Sequence, residues 1–183
     1  LTITSTDQDG DSSDPFQAVV VWGTTRNDML EVTPHGQDQL RIYSSRRLVI
    51  ELDASAVDRV VMFGLGGNDL MHAASMAIPV ELDGGAGNDQ LYGGQASDIL
   101  RGGAGNDTLW GLGGDDWLFG NEGNDVLRGG TGDDTLDGGA GNDSLYGDAG
   151  NDWLFGGTGK NTLHGGAGDD WLESVPKLAK KKR

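Results

Sequence analysis

The stretch GGAGNDTLW-GLGGDDWLF-GNEGNDVLR, Gly102 to Arg128, reads as three copies of one nine-residue unit. Outward from it the same division continues without a gap from Gly84 to Glu173, giving ten units that start at Gly84, Gly93, Gly102, Gly111, Gly120, Gly129, Gly138, Gly147, Gly156 and Gly165. Self-similarity at a fixed short period marks a stacked, quasi-one-dimensional fold. The eighth position is leucine in every unit, from Leu91 to Leu172. In an x-Leu-x strand the middle side chain points one way and its neighbours the other, so one leucine per unit faces inward. Such a core is thin. A random glycine-rich linker would not keep leucine in every eighth place.

The sixth position carries the chemistry. It is Asp89, Asp98, Asp107, Asp116, Asp125, Asp134, Asp143, Asp152 and Asp170, with Asn161 the exception. Between Gly84 and Glu173 there are sixteen Asp and Glu against Arg101, Arg128 and Lys160, a net charge of -13. Folding would crowd these carboxylates, and a hard divalent cation with oxygen ligands is the natural counter-charge. No His or Cys stands at the ligand positions, which argues against zinc or copper. Glycines at the first, second and fourth positions predict a tight, carbonyl-rich turn, because glycine reaches positive φ without a Cβ penalty.

The ten units resemble the RTX, or haemolysin-type, calcium-binding repeat, G-G-x-G-x-D-x-U-x. That resemblance implies an all-β, right-handed parallel β-roll (a β-solenoid). Two units make a coil, turns line both sides, and Ca2+ ions sit between a turn and the one a coil further on. One row of ions would then lie between Asp89 and Asp107, Asp107 and Asp125, and Asp125 and Asp143. The other would lie between Asp116 and Asp134, Asp134 and Asp152, and Asp152 and Asp170. Ala96 replaces a glycine and weakens a site between Asp98 and Asp116; Asn161 removes a charge from a site beside Asp143. Folding on this reading is coupled to metal binding.

Upstream, GLGGNDLMH from Gly64 repeats the pattern with Asp69 at the ligand position, twenty residues before Asp89, and adds a further candidate site. GTTRNDMLE from Gly23 is a decayed copy that keeps Asp28 and loses the glycines, predicting coil shape without metal. Residues 16–63 alternate β-rich runs with turns and read as an irregular β-solenoid-like cap before a roll over 64–173. Residues 1–15 form an acidic segment. Its Asp7, Asp9 and Asp11 are similar to an EF-hand loop, but the glycine precedes the third aspartate and no Glu follows at the twelfth place, so a linker is the better reading. Residues 174–183, ending PKLAKKKR, are a basic tail. The chain starts at Leu1 without a basic, apolar leader and reads as a mature form or a fragment.

The whole chain of 183 residues carries a net charge of -16 with a sequence pI near 4.2, which repels nucleic acid and anionic membranes. No apolar run spans a bilayer. There is no cysteine, so metal rather than disulfides would staple the fold. His35, His72 and His164 are scattered and no nucleophile motif appears, so no enzyme is expected. The positions flanking the leucine predict two outward faces, one with Trp117, Phe119, Trp153, Phe155 and Trp171, the other with Tyr92, Trp110, Tyr146 and His164. Three function classes follow. The first is an extracellular, secreted or cell-surface, calcium-binding structural or adhesive protein that pairs with other copies of itself head to tail. The second is the calcium-dependent folding and secretion module of a larger secreted enzyme or toxin. The third is a carbohydrate-binding surface for extracellular glycan on the exposed aromatics.

Overall fold

The structure, a computed structural model, describes residues 2–6, 18–35, 39–45, 47–53 and 57–174. The acidic Asp7–Asp14 stretch and the PKLAKKKR tail lie outside the described residues. Eighteen strands follow one another among those described, beginning with β1 (Thr2–Thr6), β2 (Ala18–Trp22), β3 (Met29–His35), β4 (Gln39–Ser44), β5 (Arg47–Asp53) and β6 (Arg59–Phe63). Next come β7 (Leu70–His72), β8 (Val80–Ala86), β9 (Gln90–Tyr92), β10 (Ile99–Ala104), β11 (Thr108–Gly113) and β12 (Trp117–Glu122). The last are β13 (Val126–Thr131), β14 (Thr135–Asp137), β15 (Ser144–Ala149), β16 (Trp153–Phe155), β17 (Thr162–Ala167) and β18 (Trp171–Glu173).

These strands form two sheets that the chain visits in alternation, which is a parallel β-solenoid. The first sheet runs β1-β2-β6-β8-β10-β12-β14-β16-β18 and the second β17-β15-β13-β11-β9-β7-β3-β4-β5. From β10 onward each strand pairs in parallel with the one a coil later, Leu100 with Leu118 and Leu109 with Leu127, a shift of eighteen residues or two units. Eighteen residues per coil is what stacks identical positions on one another.

Parallel pairing reaches back past Gly64 to β2, which pairs with β6, and to β3, which pairs with β7. The decayed copy from Gly23 is therefore the turn of an early coil. Between β3 and β6 the chain leaves the solenoid to add β4 and β5 to the edge of the second sheet as an antiparallel meander, while β1 pairs antiparallel with β2. The stretch after Ala73 forms the return turn and β8, so Gly64 to Asp83 makes one enlarged coil.

Every second residue of each regular unit points inward: the sixth, the eighth and the first of the next unit. Leu91, Leu100, Leu109, Leu118, Leu127, Leu136, Leu145 and Leu154 are completely buried. Leu163 is only partly buried and Leu172 is 46 % exposed, because their strands β17 and β18 are the last of their sheets and no further described coil covers them. The early coils are packed differently. Fourteen residues of the core cluster lie between Val19 and Leu82, among them Leu30, Ile42, Met62, Met71 and Met76, against the eight leucines further on.

The flanking residues face outward in register. On the second sheet His72 lies tilted against Tyr92, which stacks on Trp110 with ring centroids 4.2 Å apart; Arg128 lies over Tyr146, which stacks on His164. On the first, Trp117, Trp153 and Trp171 are each about half exposed, and the rings of Trp153 and Trp171 are 6.0 Å apart.

Candidate metal centre

The first six residues of each unit make the turn, and its glycines answer two different demands. The second and fourth positions take positive φ, as at Gly103 (112°) and Gly105 (139°). Leu65, Leu112, Asn121 and Asp148 hold the same left-handed conformation where glycine is missing at the second position. The first glycine does not take positive φ, contrary to the expectation that all three would. It is glycine for space. A Cβ on Gly84 would press on Oδ2 of its own unit's Asp89 and lie 2.7 Å from the carbonyl oxygen of Gly102 one coil on. Its absence leaves a carboxylate oxygen and a carbonyl oxygen facing a common gap.

The sixth-position aspartates form two ladders. In each, Oδ1 accepts a hydrogen bond from the backbone N–H of the residue one coil earlier. One ladder runs from Asp28 N–H to Asp69 (2.6 Å), Asp69 to Asp89 (2.7 Å), Asp89 to Asp107 (2.8 Å), Asp107 to Asp125 (2.8 Å), Asp125 to Asp143 (3.0 Å) and Asp143 to Asn161 (2.8 Å). The other runs from Val80 N–H to Asp98 (2.8 Å), Asp98 to Asp116 (2.8 Å), Asp116 to Asp134 (2.8 Å), Asp134 to Asp152 (2.9 Å) and Asp152 to Asp170 (3.0 Å). Asp69 thus joins the first ladder in the same way as the regular units, despite its twenty-residue coil.

The second carboxylate oxygen is the anomaly. Oδ2 of Asp69, Asp89, Asp107, Asp116, Asp125, Asp134, Asp143 and Asp152 is buried with no hydrogen-bond partner. A buried carboxylate oxygen without a donor is strongly unfavourable while charged. Burial pushes Asp116 up to about 8, Asp107 and Asp134 to about 7, and Asp69, Asp98 and Asp125 to about 6; the backbone N–H bonds oppose the shift without cancelling it. Asp89, Asp143 and Asp152 are raised for the same reason. Between the ordinary value of 3.8 and these raised values the folded coil holds more protons than the unfolded chain. The stability of the metal-free roll therefore falls as pH rises through that window.

Either a proton or a cation relieves this. The donors around each gap are oxygens only, carboxylate and main-chain carbonyl, which is the ligand set of calcium rather than of a softer metal. Among the described residues no three His, Cys, Asp or Glu side chains converge on one point. Each ion would accordingly rest on one or two carboxylates, completed by carbonyls of the glycine turns. The residues present fit calcium.

Two turns of the regular run differ. Gly94 N–H donates to Oδ2 of Asp98, so that oxygen has a partner. This turn lacks positive φ at Gly94 and Ala96 and stacks on the non-repeat segment through Gln95 N–H to Met76 C=O (2.7 Å). In the turn of Asn161, Nδ2 donates to the carbonyl of Gly156 (2.5 Å). Asp170, in the last described coil, is half-buried.

A further ladder was not read from the sequence. Fifth-position side chains accept N–H bonds from the following coil along the outside of the turns: Asn68 to Asn88, Asn88 to Asn106, Asn106 to Asn124 and Asn124 to Asn142 on one side, Asp115 to Asp133 and Asp133 to Asn151 on the other. The signal was present, since eight of the ten units carry Asn or Asp there. Its direction, opposite to that of the inner ladder, appears only with the coils stacked.

Two stacked ladders of inward carboxylates in glycine turns define a calcium-binding β-roll. The family model of the RTX calcium-binding nonapeptide repeat matches this chain in five overlapping segments, 81–109, 92–127, 110–145, 119–154 and 146–174, together about half its length. The chain belongs to that family. The comparison with curated proteins gave no match.

Proposed function

We propose that the chain is an extracellular structural or adhesive protein whose roll is ordered by calcium. The supporting observation is the set of eight buried, unpartnered Oδ2 atoms, each beside the gap left by a first-position glycine. Asp69, Asp89, Asp107, Asp125 and Asp143 would hold ions on one side, Asp116, Asp134, Asp152 and Asp170 on the other. Calcium outside cells is about millimolar, within the range of weak extracellular sites. Binding only to the folded state then draws the chain into the roll. Equilibrium dialysis with circular dichroism tests this: several ions per chain should bind together with a gain of β-structure. A chain that reaches its full β-content in excess chelator and takes up no calcium would refute it.

The tryptophan face favours a second reading within the adhesive role. Trp117, Trp153 and Trp171 are 54 %, 54 % and 51 % exposed on one flat sheet, an arrangement on which the C–H face of a sugar can stack. Extracellular oligosaccharides should quench or shift tryptophan fluorescence of the calcium-loaded roll, and a Trp153→Ala variant should lose most of that response. A response that survives the substitution undiminished would remove this face from consideration.

A further inference from the structure

Resting on the calcium reading above, the structure assigns Asn161 the role of a built-in substitute for calcium, closing its own turn with a neutral amide and ending that row of sites at Asp143. Asn161 occupies the sixth position, and its Oδ1 does what every aspartate does in the ladder, accepting the N–H of the residue one coil earlier, here Asp143, at 2.8 Å. The difference lies at the other terminal atom. In the aspartate units this is Oδ2, packed against the first glycine of the same unit, as at Gly138, where a Cβ would lie 2.6 Å from Asp143 Oδ2. In the asparagine unit it is Nδ2, packed in the same way against Gly156, where a Cβ would lie 2.8 Å from it.

An oxygen there brings negative charge and no hydrogen to a place walled by carbonyls, so it requires a cation or a proton. An amide nitrogen brings two hydrogens and no charge. Nδ2 donates to Gly156 C=O at 2.5 Å and approaches Gly157 C=O at 3.4 Å, using turn carbonyls that a cation would otherwise use. The same replacement of an ion by a donor from the chain recurs elsewhere. Oδ2 of Asp28 accepts from Thr24 N–H (2.6 Å) and Thr24 Oγ1 (2.9 Å), and Oδ2 of Asp98 accepts from Gly94 N–H. At all three turns the inner ladder is intact and the gap is served from within. Asn161 is the case in which the side chain itself carries the donor, so a single substitution can reverse it.

The experiment is to count calcium ions per chain at saturation, by equilibrium dialysis and by native mass spectrometry, on the full chain and on two variants. Asn161→Asp should bind one ion more than the wild type. Asp125→Asn, the reverse change within the same row, should bind at least one ion fewer while remaining folded in calcium. If Asn161→Asp does not fold, the loss of at least one ion in Asp125→Asn decides. Wild type that binds calcium together with variants of unchanged stoichiometry would overturn this inference alone. Wild type that takes up no calcium would sink the calcium reading and this inference with it.

Discussion

In excess chelator at neutral pH, amide hydrogens of the regular units from Gly84 to Glu173 should exchange freely, while those of β2, β3, β6 and β7 remain protected. The two parts differ in what holds them. Between Val19 and Leu82 the core cluster contributes fourteen buried residues, including three methionines and several β-branched side chains, and Asp28 has its own capping donors in Thr24. From Leu91 onward the cluster adds one leucine per nine residues. Each such leucine comes with a buried aspartate, nearly all with one oxygen unpartnered. Ordering the backbone costs about 1–2 kcal/mol per residue, and a single leucine in nine cannot offset that without the ion. The early coils would then stay as a folded edge on which the calcium-dependent coils assemble.

The same experiment has a pH arm. Because burial raises Asp116 to about 8 and Asp107 and Asp134 to about 7, protons should partly replace calcium as pH falls. In chelator, protection within 84–173 should rise from pH 8 toward pH 5, and in calcium the ion count should fall over the same interval. Hydrogen exchange read segment by segment measures both. Uniform loss of protection across the whole chain in chelator, or protection (relative to the intrinsic exchange rate) independent of pH in the metal-free state, would contradict this account.

Gly105→Ala should be among the most damaging single changes in the roll, and Gly113→Ala among the mildest. At Gly105 φ is 139°, and an added Cβ would overlap the carbonyl oxygen of Gly87 in the coil before. Forcing an L-residue into left-handed backbone costs about 1–2 kcal/mol, and the overlap adds to it because the obstacle is backbone in a stacked coil. A loss of more than about 3 kcal/mol is expected, with the turn pushed away from its neighbour and the calcium needed for folding raised several-fold. At Gly113 φ is ordinary, and the nearest atoms to an added Cβ are the side-chain tips of Gln95 and Thr131, both at 3.2 Å. Those can move, and alanine already stands at that third position in Ala104 and Ala140. Calcium titration of folding by circular dichroism compares the two variants directly. Equal behaviour would mean that coil stacking does not govern the fourth position.

The candidate sites were largely legible because their pattern is local. Nine residues contain the whole turn and the strand that follows, so Asp107 and Leu109 could be read from a single unit and checked against nine others. The coil that begins at Ala18 was less legible. Its turn carries Thr24 and Arg26 where the regular units carry glycine, and its partner strand lies beyond an inserted meander, so Asp28 meets Asp69 forty-one residues on. Strand pairing across such an insertion leaves no periodic trace.

By itself the sequence determined the repeat, the inward leucine, the sixth-position carboxylate and the calcium family, since each is a property of one unit repeated. Only the tertiary structure decided what happens between units, because two residues eighteen apart become neighbours only when the coils stack. Stacking showed the first glycine to be cleared space beside a carboxylate rather than a positive-φ turn residue. It left eight carboxylate oxygens without a donor. It also showed that Asn161, which reads in one dimension as a missing charge, carries the hydrogen that makes the charge unnecessary.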